Sequence, residues 1–300
     1  MTHTPRLYVP VITPFRPDLG VDHAALVKVA RMMLEDGADG LAPFGTTSEA
    51  TSMSVTERMS ALEALVESGI DPARLIPGTG CAALPDTIAL TRHALGLGVK
   101  GTLTLPPFYY KPVSDEGVFA SYARVIEAVG SDRLGLYLYH IPQMTGVPIT
   151  LNLIDHLVTA FPGVIRGLKD SGGKWDNTAA VIAAFPGIAT FSASEALLRQ
   201  NIAAGGAGCI SASANVNAAG IARLIRAVGT AGEQAAADQA AQVRRIFEGL
   251  PLIPAIKAAI ARRTGDPAHA IVRPPLVAMT PEHDAAITAA LTLSGGLPSA

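Results

Sequence analysis

Apolar positions along this chain fall into two recurring patterns. Eight short apolar runs each last roughly four to six residues before a Pro, Gly, Thr or Ser. They are LYVPVITP (7–14), GLAPFGTT (40–47), RLIPGTG (74–80), GTLTLPP (101–107), LGLYLYH (134–140), VIRGLKD (164–170), IATFSAS (188–194) and AGCISAS (207–213). None alternates strictly with polar residues, which predicts strands covered on both faces. Between the runs the apolar period lengthens to that of a helix. In DHAALVKVARMMLEDG (22–37), Leu26, Ala30, Met33 and Leu34 share one face and Gly37 marks the C-terminal end. SVTERMSALEALVESG (54–69) has a Ser/Thr-rich start and closes on Gly69.

The predicted strands begin roughly 20 to 35 residues apart, and eight βα units fit before about residue 225. No Gly-x-Gly-x-x-Gly follows the first strand, so the pattern favours a closed (β/α)8 TIM barrel over a doubly wound sheet. The reading is therefore a barrel over residues 1–224 and a C-terminal helical extension over 225–300, packed on it. GEQAAADQAAQVRRIFEGL, IPAIKAAIARRTG and TPEHDAAITAALTLS supply that extension, and GGLPSA (295–300) reads as a frayed end.

Charge narrows the class of partner. A net charge of −2 with scattered Lys and Arg predicts no nucleic-acid binding. No run nears the ~18 apolar residues of a membrane span, and the N-terminus has no secretory pattern, so a cytoplasmic protein with no membrane contact is expected. Cys81 and Cys209 show no metal-ligand or redox spacing and read as reduced, buried thiols.

GVIRGLKDSGG (163–173) carries the chemistry, because its apolar run ends in a lysine, Lys169. In a barrel, active-site groups project from the C-terminal ends of different strands. Those ends here carry Gly45–Glu49, Pro106–Tyr110, Tyr137–His140 and Lys169. A lysine in an apolar, partly desolvated pocket becomes a nucleophilic amine near neutral pH and can form a protonated Schiff base with a ketone. Tyrosine and threonine hydroxyls can move the protons that imine formation requires. Backbone N–H groups of a Gly-Thr-Thr turn can hold a neighbouring carboxylate. Together these groups suit a 2-oxo acid. GGAG (205–208) precedes a strand instead of following one, the wrong position for a phosphate loop, so pyridoxal phosphate is not expected.

At these residues the chain resembles the dihydrodipicolinate synthase / N-acetylneuraminate lyase family of Schiff-base-forming aldolases. GTTSEATSMSVTER (45–58), YHIPQMTG (139–146) and GLKDSGG (167–173) match the family's Gly-Thr-Thr-Gly-Glu, Tyr-Asn-x-Pro-x-x-Thr-Gly and Lys-Asp-Ser-Ser-Gly motifs. PPFYYKP (106–112), GGAGCISASANV (205–216) and IPAIKAAI (253–260) support them, in the family's order and over nearly the whole chain. The resemblance implies that Lys169 forms the Schiff base, Tyr139 is the general acid/base, Thr46 a relay and Thr47 a carboxylate ligand. Gly45 and Ile210 are further candidate substrate contacts. It also implies a homotetramer of tight dimers, with Tyr109 reaching into the neighbouring subunit's site, and neither metal nor organic cofactor. The partners expected are a small 2-oxo acid and an aldehyde.

Departures from the motifs sharpen the expectation. Met144 stands where dihydrodipicolinate synthases typically carry an arginine for the semialdehyde's carboxylate, and a thioether cannot bind an anion. Ser48 replaces the usual glycine of the turn. His140 replaces an asparagine and reads as a packed neighbour of Tyr139. In FSASEALL (191–198), Ser192, Ser194 and Glu195 either bind the hydroxyls of a sugar acid or cap the next helix. The activity expected is aldol cleavage or formation of a 2-keto-3-deoxy sugar acid, with pyruvate as product or donor. The alternatives are dehydration or decarboxylation through the same imine, dihydrodipicolinate synthesis, which Met144 argues against, and a 2-oxo-acid sensor, which would need no proton relay.

Overall fold

All eight apolar runs form extended backbone with parallel partners in the structure, a computed structural model that describes residues 3–296 other than 100 and 131. Residues 297–300, most of the end read as frayed, lie outside the described residues. The chain packs as two compact units. Arg6–Ile70 and the chain from Ile210 onward form the first, and Asp71–Cys209 the core of the second.

The first unit opens with β1 (Arg6–Val9), α1 (His23–Glu35), β2 (Gly40–Leu41) and α2 (Val55–Glu67). β1 and β2 pair in parallel, Tyr8 opposite Gly40 and Val9 opposite Leu41. α1 starts where Asp22 accepts a hydrogen bond from the Ala25 N–H, and it buries Leu26, Val29, Ala30 and Met33. Leu34, expected on that face, is only half-buried. α2 begins at a reciprocal capping box between Ser54 and Glu57, a motif contributing about 1 kcal/mol.

The second unit contains α3 (Leu84–Gly96), β3 (Thr102–Thr104), α4 (Asp115–Val129), β4 (Leu136–His140), α5 (Pro142–Thr145) and α6 (Leu151–Ala160). β5 (Ile165–Asp170), α7 (Trp175–Ala184), β6 (Ala189–Ser192), α8 (Leu198–Ala203) and β7 (Gly208–Cys209) complete it. Its strands lie in the order β3-β4-β5-β6-β7, all parallel. The third apolar run is not a regular strand. It meets β3 through a bridge at Gly78, with Leu103 N–H bonded to the Pro77 carbonyl at 2.9 Å and Thr79 N–H to the Leu103 carbonyl at 3.0 Å. Pro77 has no N–H to give a ladder, and the run pairs through isolated bridge residues, Leu75 and Gly78, instead of a continuous strand.

Strand alternation decides which side chains face the chemistry. Leu136, Leu138 and Leu168 enter a core with Ile126 of α4, Leu153 and Leu157 of α6 and Val181 of α7. Each such buried side chain contributes about 1.5–3 kcal/mol. Residues between them, among them Tyr137, Tyr139 and Lys169, therefore point to the opposite face. The Tyr137 ring fills the space where Gly101 and Gly167 lack a side chain: a Cβ on Gly167 would stand 2.4 Å from it and one on Gly101 2.6 Å. Both glycines make room for that ring.

The first unit closes with α9 (Ala214–Ala227), α10 (Glu233–Glu248), α11 (Leu252–Thr264) and α12 (Asp284–Ser294); the last three fall on the three segments read as helical after residue 225, and α9 is a separate helix before them. α10 buries Ala236, Ala240, Val243 and Phe247 along one stripe. Asn215 of α9 accepts the Ile12 N–H at 3.1 Å and donates to the Pro10 carbonyl at 3.0 Å, holding the chain just after β1. Arg263 at the end of α11 makes a two-point ion pair with Asp36 behind α1, at 2.5 and 2.8 Å. Among the described residues no helix is long and apolar enough to cross a membrane.

Candidate active site

β4 and β5 are in a register that sets Tyr139 opposite Lys169 and His140 opposite Asp170. The Lys169 Nζ donates to the Tyr139 Oη at 3.0 Å and lies 4.2 Å from the centre of its ring. Both side chains are enclosed, 4% and 3% exposed. Lysine is rarely buried without a reason, and here the reason is a phenol within proton-transfer distance of an amine. A nucleophilic nitrogen and a hydroxyl that can give and take its protons are the minimum equipment for imine chemistry.

The next residue on each strand supports that pair from the opposite face. Asp170 accepts from the Gly172 N–H at 2.8 Å, Asn177 Nδ2 at 2.9 Å and Thr178 Oγ1 at 2.7 Å. The His140 Nδ1 accepts the Ile149 N–H at 3.0 Å, which leaves the ring proton on Nε2. Burial pushes the His140 imidazole below its ordinary value, and the Asp170 carboxylate opposes the shift. His140 is thus a packed, hydrogen-bonded neighbour of Tyr139. Sequence reasoning missed Asn177 and Thr178, which sit on α7 where the local pattern shows only helix.

Gly45, Thr46 and Thr47 lie on one turn of the first unit, after β2. Thr47 is buried and Thr46 half-buried. The turn is closed by bonds from the Ser48 and Ala50 N–H groups to the Gly45 carbonyl and from the Glu49 N–H to that of Thr46. Phe44 before it and Glu49 at its end adopt left-handed backbone, φ +60° and +57°. For non-glycine residues such a conformation costs on the order of 1–3 kcal/mol and tends to mark functional turns. Ser48 makes its own accommodation: its hydroxyl donates to the Val11 carbonyl at 2.6 Å, and its carbonyl accepts from Thr13 Oγ1 at 2.8 Å.

A charged cluster that the local pattern did not reveal holds the same turn. Lys257 of α11 and Glu49 are both fully buried, with Nζ 2.6 Å from Oε1. Lys257 also donates to the Thr13 carbonyl at 2.9 Å, and the Arg273 N–H donates to Glu49 Oε2 at 2.9 Å. The Lys257 ammonium and the Arg273 guanidinium lie 4.2 and 4.5 Å from the centre of the Phe15 ring. Burial drives the Lys257 amine below its ordinary value, with Glu49 opposing. Arg273 also pairs with Glu57 and holds that carboxyl down to about 2. Glu49 and Lys257 both fall inside quoted motifs, but 208 residues separate them.

The remaining candidates stand on other elements. Tyr109 is 73% exposed, its ring edge-on to that of Tyr110. Lys111 anchors their loop to the Phe108 and Thr145 carbonyls at 2.7 and 3.1 Å. Met144 stands 64% exposed on α5. After β6, Ser192 Oγ donates to the Ser194 carbonyl at 2.9 Å, and Ser194 Oγ caps the next turn by accepting the Ala196 N–H at 3.3 Å. Glu195 is buried beside them, and Ile210 is fully buried at the start of the returning chain of the first unit. Among the described residues no group of three or more His, Cys, Asp or Glu could hold a metal ion.

Parallel strands joined by helices, helices appended at the C-terminus and a buried lysine against a tyrosine at the strand ends are features of a lyase of the aldolase class on a (β/α)8 barrel. A model of the dihydrodipicolinate synthetase family matches residues 3–294, and the chain belongs to that family. An uncharacterised DapA-like lyase of Chloroflexus aurantiacus is 38% identical over 286 residues, 93% of each chain. A 4-hydroxy-tetrahydrodipicolinate synthase of Agrobacterium fabrum is 31% identical over 291 residues, 95% of this chain and 96% of that one. Among solved structures, dihydrodipicolinate synthase of Agrobacterium tumefaciens superposes with a TM-score of 0.87 at 31% identity, covering 96% of this chain and 99% of that one.

Proposed function

We propose that this lyase works through a Schiff base on Lys169 and cleaves or forms a 2-keto-3-deoxy sugar acid, with pyruvate as product or donor. The observation that carries the reading is the buried Lys169–Tyr139 contact at 3.0 Å. The Lys169 nitrogen attacks the C2 carbonyl carbon of the acid. A proton leaves the nitrogen as the carbonyl oxygen gains one, with Tyr139 as carrier; Tyr139 then gives its own proton to the carbinolamine hydroxyl, which departs as water and leaves the iminium and a Tyr139 phenolate. The Tyr139 phenolate takes the C4 hydroxyl proton as the C3–C4 bond breaks, and the same proton is available for C3 afterwards. The aldehyde departs, and the bond's electrons flow into the iminium to give an enamine. Protonation at C3 and hydrolysis of the imine release pyruvate and restore Lys169.

The motifs assign Thr46 to the proton relay and Gly45, Thr47 and Ile210 to the acid's near end, with Ser192 and Glu195 toward the sugar hydroxyls. Ser194, whose hydroxyl caps a turn, is the least suited of that group. Met144 supports a second substrate without a distal carboxylate, which separates this reading from dihydrodipicolinate synthesis. The exposed Tyr109 supports assembly into dimers that pair as a tetramer, where a second copy covers it. Dehydration of the same acid through the same imine is the second reading, because nothing about Lys169 or Tyr139 distinguishes loss of the C4 hydroxyl from loss of the aldehyde.

Incubation with pyruvate, reduction with borohydride and peptide mass spectrometry test the first step. A reduced adduct on Lys169, absent in Lys169→Ala, is expected. An adduct on another lysine would refute the assignment. Product analysis with 2-keto-3-deoxy acids then separates pyruvate plus an aldehyde from a new oxo acid formed by loss of water.

A further inference from the structure

The buried pair of Glu49 and Lys257 takes no part in the steps above, yet it grips the turn to which the motif gives the substrate carboxylate. Glu49 ends that turn with φ +57°, a backbone state that residues other than glycine seldom adopt. Both oxygens of its carboxylate are held, one by Lys257 Nζ at 2.6 Å and the other by the Arg273 N–H at 2.9 Å. The same ammonium donates to the Thr13 carbonyl at 2.9 Å, and the Thr13 hydroxyl donates to the Ser48 carbonyl at 2.8 Å. Lys257 therefore reaches the turn twice, directly at Glu49 and through Thr13 at Ser48.

Such a pair is a poor means of stabilising a fold. Removing two charges from water offsets most of their attraction, and an apolar pair of the same volume commonly does as well. What apolar groups cannot do is fix a carboxylate at two points from two directions, and with it the backbone that carries it. We infer that Glu49 and Lys257 are positioning residues, which hold the Gly45–Ser48 turn in the conformation that receives the carboxylate of the 2-oxo acid. The inference rests on the reading of that turn, and of Lys169, given under Proposed function.

The test compares wild type, the double variant Glu49→Gln/Lys257→Met and the single variant Lys257→Arg. One readout is the pyruvate dependence of borohydride trapping on Lys169. The other, independent of any activity, is amide hydrogen exchange over residues 44–53. The double variant leaves no unpaired buried charge, so it is expected to fold with a melting temperature near wild type. Half-saturating pyruvate is expected to rise about tenfold, the effect of one weakened charge-assisted contact, while the trapping rate at saturation stays within about threefold. Exchange over 44–53 is expected to quicken while α6 peptides do not change, and Lys257→Arg is expected to recover most of both effects.

Wild-type half-saturation together with wild-type exchange over 44–53 in the double variant would overturn the inference. Failure of wild type to trap pyruvate would instead remove the Lys169 reading. Exchange alone would then decide, quickened exchange upholding the clamp and unchanged exchange refuting it. If the double variant does not fold, Glu49→Asp, one methylene shorter, carries both readouts.

Discussion

Lys169 and Tyr139 stand opposite each other on adjacent parallel strands, and the amine donates to the phenol at 3.0 Å with both side chains out of water. Two neighbouring strands fix that geometry, so the pair is ordered before any substrate arrives. Removing the hydroxyl should therefore cost chemistry far more than structure. Tyr139→Phe is expected to slow borohydride-trapped imine formation by about 10²–10⁴-fold, with stability falling by no more than about 1–3 kcal/mol. A trapping rate within a few-fold of wild type would show that protons travel by another route.

Gly167 tests how strictly the strand spacing is set. A Cβ there would meet the Tyr137 ring at 2.4 Å and the Ala189 carbonyl at 2.6 Å. Gly167→Ala is expected to lower stability by about 1–3 kcal/mol, or more if β5 must move, and to depress trapping on Lys169 two residues along. Leu168→Ala, pointing into the helix-side core, should cost about 2–5 kcal/mol while leaving trapping closer to normal. Denaturant titrations read beside trapping rates separate the two outcomes.

The pH dependence of stability has two limbs with different owners. His140 and His269 are both held below their ordinary value of 6.5, chiefly by burial. The unfolded chain thus takes up protons that the folded chain refuses, so stability holds above pH 6.5 and falls as pH drops below it. His140→Asn, whose amide oxygen can still accept the Ile149 N–H, is expected to flatten this limb without loss of fold. An unaltered slope between about pH 7.5 and 5.5 would contradict the assignment.

Glu57 owns the acid limb. Its carboxyl is held at about 2 in the folded chain against 4.5 ordinarily, chiefly by Arg273. Its contribution is present above pH 4.5 and lost as pH falls toward 2. Because Glu57 is partly exposed, screening keeps the effect to about 1 kcal/mol. Glu57→Gln should remove that part of the acid-induced loss, as urea midpoints taken at successive pH values would show.

Met144→Arg probes the second substrate. If the thioether excludes a distal carboxylate, the arginine variant should gain about tenfold for carboxylate-bearing aldehydes over neutral ones. Competition assays with paired aldehydes read this ratio directly, and an unchanged ratio would place specificity elsewhere.

Much of the fold could be read from the sequence because a parallel strand buried on both faces writes itself as an unbroken apolar run. Even the two-residue strands Gly40–Leu41 and Gly208–Cys209 lie within runs of that kind. Where the reading overshot, Pro77 explains it, since apolar character continues there while its nitrogen has no hydrogen to give a ladder. Lys169 and Tyr139 could be found because both stand at strand ends, where local order predicts convergence. The Glu49–Lys257 contact had no such signal. Each residue is ordinary in its own helix or turn, and the pairing is a property of three-dimensional closure that no local period records. Asp170 illustrates the middle case: its place beside Lys169 was plain, but its Asn177 and Thr178 donors needed the helix to be docked.

The clamp on Glu49 also gives the molecule an order of assembly. During synthesis the 45–49 turn emerges 208 residues before Lys257, and Arg273 follows later still. Until then the turn has its strained backbone and its acidic group but not the cation that restrains them. The bonds that close the turn and tie Ser48 to Val11 and Thr13 lie within the first fifty residues, yet the hold on the Glu49 carboxylate is completed only when Lys257 and Arg273 have been made. A chain cut short before α11 would carry Lys169 and Tyr139 intact and still lack a finished 45–49 turn.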